Sequence, residues 1–161
     1  MSEFDDSRIE VVSPGVNIAV VKKDDDGWKM LVLRRADTGS YPGCWGLLTG
    51  RKERNEVVAQ IVERELKARV GLTAQRIWAT EYLIRFYEPE FDQIWIMPLV
   101  VAVVDADAQV VLQPEHNGFR WLDPFGAKKQ VTWKNLVRAI EDVAEELEVY
   151  PARTWVELVT G

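Results

Sequence analysis

The chain is poor in the residues that cross-link proteins or hold soft metals: it has one cysteine, Cys44, and one histidine, His116. A single thiol excludes an internal disulfide, and one imidazole without a second His or Cys partner nearby argues against a zinc centre. Cationic excess is lacking as well. Lys and Arg number 20 against 26 Asp and Glu, a net charge of −6, which argues against general affinity for nucleic acid or an anionic membrane. No apolar run is long enough to span a bilayer and no secretory leader is evident, so a cytoplasmic protein is expected. What is present is a core. Of 161 residues 47% are hydrophobic and seven are tryptophan, enough for one packed domain over 1–161. Residues 1–10 read as a flexible acidic end and 151–161 as a C-terminal extension.

Along the chain, "VNIAVVKKDDDGWKMLVLRR" predicts a hairpin on an aspartate-glycine turn. "ADTGSYPGC" is a loop, and "WGLLTG" a short strand ending at Gly50. "QRIWATEYLIRFYE" and "QIWIMPLVVAVV" predict two long strands around a "PEFD" turn. The second is nearly continuous in apolar residues, as in a strand covered on both faces, and Pro98 within it implies a bulge or an edge position. "QVVLQPEHNGFRWLD" reads as a strand, a polar loop and a further short strand. Trp133, Leu136, Val137, Ile140, Val143 and Leu147 keep helical spacing up to about Tyr150. "ARTWVELVTG" closes the chain as an added strand or a docking segment. Strands interrupted by two helices predict an α/β protein with a mixed sheet and a helix on each side.

The first helix, expected from Asn55 to Val70 with Gly71 ending it, contains a conflict. With Glu65 set at zero, Val58, Ile61, Val62, Leu66 and Val70 fall between roughly −40° and +140°. Glu65 therefore lies inside the apolar arc, and Arg69 follows one turn later. An ion pair that merely orders the helix is one reading of these two residues. A site is the other.

The same stretch resembles the signature of the Nudix hydrolase family. Gly50, Glu56, Arg64, Glu65, Leu66, Gly71 and Leu72 match that signature at its spacing, seven of nine defined positions. The two departures are Ala68 and Arg69, where the family has paired glutamates. "LRR" followed by a tryptophan and "TG" before the box, and "EHNGFRWLD" before the last helix, also look like family members. Within the family the layout is nearest to pyrophosphatases of dihydroneopterin triphosphate and nucleoside triphosphates.

The resemblance implies a Nudix-type α/β/α sandwich and hydrolysis of a diphosphate linked to another group, with Mg2+ or Mn2+ as cofactor. Glutamates at i, i+3 and i+4 share one helix face and converge on one ion. Here only Glu65 of the three remains, and Glu115, just before His116, is the candidate second ligand or base. Arg64 has a counterpart that orients the adjacent glutamate, and Gly50, Glu56 and Gly71 are structural positions of the box.

Arg69 repels a cation and can pair with Glu65, which opens a second reading. Between Gly50 and Gly71 six cations face four anions, a local surplus in an acidic chain. Arginines, with Arg35, Arg51 and Arg69 as candidates, would then grip the diphosphate in place of metal. Arg51, Lys52 and Arg54 taken singly read equally as a solvated loop. Tyr41, Trp45 and Trp95 are candidates for stacking on a ligand base or for core packing. Two function classes stay open: a pyrophosphohydrolase of a nucleoside- or pterin-linked di- or triphosphate with weak or altered activity, and an inactive domain binding a nucleotide-like diphosphate. A homodimer is compatible with either.

Overall fold

A computed structural model describes residues 6–149 together with Glu157 and Leu158. Two apolar runs organise it. Strands β2 (Gly15–Asp24) and β7 (Gln93–Val103) lie side by side and parallel, Asn17 opposite Leu99 and Val21 opposite Val103. Alternation sends Ile18, Val20, Val100 and Ala102 to one face and Ala19, Val21, Leu99 and Val101 to the other. Both faces are buried, which accounts for the near-continuous apolar sequence.

The rest of the mixed eight-stranded sheet grows from this pair. β3 (Gly27–Arg35) closes the expected hairpin on β2, and β6 (Arg76–Glu88) runs antiparallel to β7. β5 (Leu48–Arg51) pairs with the first half of β2, while β4 (Trp45–Gly46) and β8 (His116–Leu122) add to β3. β1 (Glu10–Val12) lies parallel to β7, so Glu10 of the expected flexible start is in a strand, while residues 1–5 of that start lie outside the described residues. Pro98 sits opposite Leu83 where the register of β6 shifts after Ala79. Thr80 caps that bulge, its hydroxyl donating to the Leu99 carbonyl at 2.7 Å and accepting from the Tyr82 amide at 3.1 Å. The bulge expectation holds and the edge alternative does not.

One face is covered by α1 (Val58–Glu65) and its π-helical continuation, Leu66–Val70. The other carries α2 (Pro124–Gln130) and α3 (Lys134–Glu148). Among the described residues these make three helices, where two main ones were expected. α2 starts on Asp123, whose carboxylate accepts from the Gly126 amide at 2.7 Å, with Pro124 at the first helical position. The strand expected at "QVVL" is absent. Residues 108–112 form a loop whose Val110 and Leu112 pack on the α1 face while the Val111 amide donates to the Val70 carbonyl. Of the tail, Glu157 bridges to Trp78 and the Leu158 amide donates to the Ile77 carbonyl at 2.7 Å, a fragment of the added strand. The remainder of that tail and the helix end near Tyr150 lie outside the described residues. Among the described residues no helix is long and apolar enough to cross a membrane.

Candidate active site

The helix that carries the conflict begins later than its sequence suggests. Asn55 is left-handed (φ 67°), in a turn where the Glu53 amide donates to the Glu56 carboxylate at 2.7 Å. α1 then opens with the Gln60 side chain accepting from the Val57 amide at 2.9 Å. Its last part widens into a π turn over the segment containing Ala68 and Arg69, and left-handed Gly71 (φ 69°) ends it with its amide on the Leu66 carbonyl.

Glu65 does point inward, and its side chain is only 5% exposed. Gly50 on β5 makes this possible. A Cβ at Gly50 would stand 2.7 Å from Glu65 Cγ and 2.8 Å from Ile61 Cγ2. Behind it Gly15 packs backbone to backbone on Gly50, where a Cβ would strike the carbonyl oxygen. The strands therefore approach the helix closely enough to bury a carboxylate.

That carboxylate is held at both oxygens. Arg64 Nη1 donates to Glu65 Oε1 at 2.5 Å, and Arg69 Nε donates to Oε2 at 3.0 Å. Arg64 is fixed in turn by two bonds to Glu56, at 2.8 and 2.9 Å, and by one to the Arg51 carbonyl at 2.7 Å. The Arg64 guanidinium holds the Glu56 carboxyl below its ordinary range, and Glu56 raises the arginine further. Arg69 continues the chain of charges, with Nη1 on Glu115 Oε1 at 2.9 Å. One guanidinium thus bridges the two carboxylates expected to share an ion.

These residues open on a polar cleft of about 550 Å3, lined among others by Arg35, Thr49, Arg51, Arg69, Glu115 and His116. Among the described residues neither Arg35 nor Arg51 has a carboxylate partner. Arg51 instead lies over the rings of Trp95 and Phe91, at 5.3 and 5.5 Å. Arg35, Thr49, Arg51 and His116 also border a second, largely apolar pocket of about 580 Å3 between the sheet and the start of α3. The two cavities therefore share that set of side chains.

Of the stacking candidates, Trp95 lines the apolar pocket and stacks on Phe91 at 5.6 Å. Tyr41 lines it too, edge-on to Trp133 at 5.5 Å. Trp45 lines neither cavity: it packs against the core on the α3 side under the Arg120 guanidinium, so its stacking assignment is withdrawn. Two site residues had no sequence signal. Glu88, buried at the end of β6, faces the apolar pocket. His116, weighed only as a zinc ligand, has a buried Nδ1 with no hydrogen bond and lines both cavities. Burial first, then the charges of Arg35 and Arg69 against an opposing Glu115, hold its pKa below the ordinary histidine value.

A family model for the NUDIX domain matches residues 13–142. The chain belongs to the Nudix family. It is 33% identical over 147 residues to an octanoyltransferase of Myxococcus xanthus, an alignment that covers 86% of this chain but 39% of that protein. It is 26% identical over 107 residues to the nucleoside triphosphatase NudI of Escherichia coli, covering 62% of this chain and 76% of NudI. The crystal structure of a Caenorhabditis elegans Ap4A hydrolase binary complex superposes with a TM-score of 0.73 at 17% identity, covering 86% of this chain and all of that one. The architecture is accordingly the Nudix α/β/α sandwich with a mixed sheet.

Nudix hydrolases generally use divalent metals, but the residues here do not fit one well. Glu65 and Glu115 are the cleft's candidate ligands, and a cation between them would displace Arg69 from both and lie against its charge. Among the described residues no cluster of three or more His, Cys, Asp or Glu is placed to hold an ion.

Proposed function

We propose that this Nudix domain binds a nucleotide-like diphosphate through arginines, with metal-dependent hydrolysis weak or lost. The observation that carries the reading is Arg69 bridging Glu65 and Glu115 at 3.0 and 2.9 Å in a cleft where Arg35 and Arg51 have no acidic partner among the described residues. Arg69 has five N–H donors, and its pairs with Glu65 and Glu115 leave others for a ligand. A diphosphate supplies the acceptors that three guanidinium groups lack, and planar, bidentate contacts suit arginine better than lysine. The apolar pocket offers Trp95, Phe91 and Tyr41 to the group attached to the diphosphate. A single cysteine and acidic balance accord with a cytoplasmic setting.

The second reading is a pyrophosphohydrolase of a nucleoside- or pterin-linked di- or triphosphate. It is favoured by the retained Glu56–Arg64–Glu65 network and by relatives named as a nucleoside triphosphatase and an Ap4A hydrolase. Phosphate release across a panel of nucleotides and dihydroneopterin triphosphate, with magnesium and with manganese, separates the two. Turnover abolished in Glu65→Gln carries the enzyme reading. Silence across the panel, with nucleoside diphosphates still bound in chelator and released by Arg69→Ala, carries the binding reading.

A further inference from the structure

Glu88 is 6% exposed, and no cation pairs with it among the described residues. A buried carboxylate in that condition is unusual, because desolvating a charge is costly unless strong donors replace water. Its Oε1 has two neutral donors, the Tyr41 hydroxyl at 3.0 Å and the Glu90 amide at 3.1 Å. Its Oε2 has no hydrogen bond within the described protein, and Glu88 lines the apolar pocket.

The surroundings hold this acid in place. Tyr41 adopts a left-handed backbone (φ 52°), uncommon for an aromatic residue, and its hydroxyl thereby reaches Glu88 across 47 residues of sequence. Its neighbour Ser40 donates to the Glu90 carboxylate at 3.2 Å, tying the same loop to the tip of the β6–β7 hairpin. Aromatic rings flank the acid on this side of the pocket, while Arg35 and Arg51 line both it and the polar cleft. The pocket is therefore lined by the guanidinium groups of Arg35 and Arg51 as well as by this acid.

We propose that Glu88 selects the ring of the bound nucleotide, taking a heterocycle with two adjacent N–H donors. The 2-amino-4-oxopyrimidine edge shared by guanine and pterin has that pattern: a ring N–H beside an exocyclic amine, both able to donate to one carboxylate. Hypoxanthine keeps the ring N–H but lacks the amine. Adenine presents a ring-nitrogen lone pair where a donor is needed, so it meets the carboxylate with repulsion. The inference rests on the diphosphate reading for the anionic half of the ligand and adds the identity of the other half.

The test is calorimetric titration of the full chain in chelator with guanosine, inosine and adenosine diphosphates, followed by dihydroneopterin triphosphate against guanosine triphosphate. The expected result is guanosine over inosine by about tenfold to a hundredfold, the effect of one charge-assisted hydrogen bond, with adenosine weaker still. Glu88→Gln and Glu88→Asp, the latter keeping the charge but shortening the arm, should both collapse that preference, and Glu88→Gln, which removes the repulsion and offers an amide donor, should raise affinity for adenosine diphosphate. Tighter binding of either the guanine or the pterin triphosphate is compatible with the shared edge and identifies which source is favoured. Equal affinity for the three diphosphates, or a guanosine preference that survives both variants, overturns the role of Glu88 and leaves the arginine site standing. If no diphosphate binds to the wild-type chain, the arginine reading falls and this one falls with it.

Discussion

Replacing Gly50 by alanine tests whether the inward carboxylate depends on the close approach of β5 to α1. The added methyl would lie 2.7 Å from Glu65 Cγ and 2.8 Å from Ile61 Cγ2, both well inside contact distance. Neither atom is the free end of a flexible chain: Ile61 is β-branched and 1% exposed, and the end of Glu65 is held by two guanidinium groups. Overpacking of this kind costs about 1–3 kcal/mol. Gly50 does not have a positive φ, so alanine would recover about 0.4–1 kcal/mol from the unfolded chain. Measured against an alanine elsewhere that gains the same unfolded-state term but meets nothing, the expected loss is about 1–3 kcal/mol, or about 2–12 °C in Tm for a domain of this size. Gly39→Ala is the control, because a Cβ there has no neighbour within 4 Å. Thermal and urea unfolding of both variants would measure the difference, and diphosphate affinity should fall in Gly50→Ala as Glu65 shifts against Arg64 and Arg69. A Gly50→Ala protein as stable as Gly39→Ala would refute the packing argument.

Other consequences are equally concrete. Ala68→Glu/Arg69→Glu removes the bridging cation and restores carboxylates, so magnesium-dependent phosphate release from nucleotides should rise above that of the wild type. Asp123→Ala removes the side-chain acceptor of the Gly126 amide at the start of α2 and should cost about 0.5–2 kcal/mol in urea unfolding. His116 titrates lower in the folded chain than its ordinary value of 6.5, so the unfolded chain binds more protons between those two values. Its contribution to stability is therefore present above pH 6.5 and lost as pH falls towards the folded value. His116→Gln should flatten the slope of stability against pH in that window.

Much of the frame was legible because its signals are local. The apolar runs of β2 and β7, the spacing from Leu136 to Leu147, and Gly50 and Gly71 around the first helix each report a pattern that the fold uses directly. The inward Glu65 and its pairing with Arg69 followed from helical geometry alone. Failures came where a short signal competed with tertiary packing. Val110, Val111 and Leu112 look like a strand but serve as apolar padding beside the π turn, with one backbone bond to Val70. α2 has seven residues and a single fully buried side chain, Ala127, too few for a helical period to emerge.

Site residues divide along the same line. Glu65, Arg64, Arg69 and Glu115 belong to one charge network, and the family signature brought three of the four to attention. Glu88 depends on a left-handed Tyr41 and a distant loop, and sequence carries no trace of either. Trp45 sits next to the loop that frames the pocket, yet its strand register turns the ring towards Arg120.

The most direct measurement is a crystal structure of the chain with a non-hydrolysable nucleoside diphosphate analogue, grown with excess magnesium. The arginine account predicts phosphate oxygens within hydrogen-bond distance of Arg69 and of Arg35 or Arg51, with Arg69 still on Glu65. A magnesium ion joining Glu65 and Glu115 to the phosphates, with Arg69 swung out of the cleft, would contradict it.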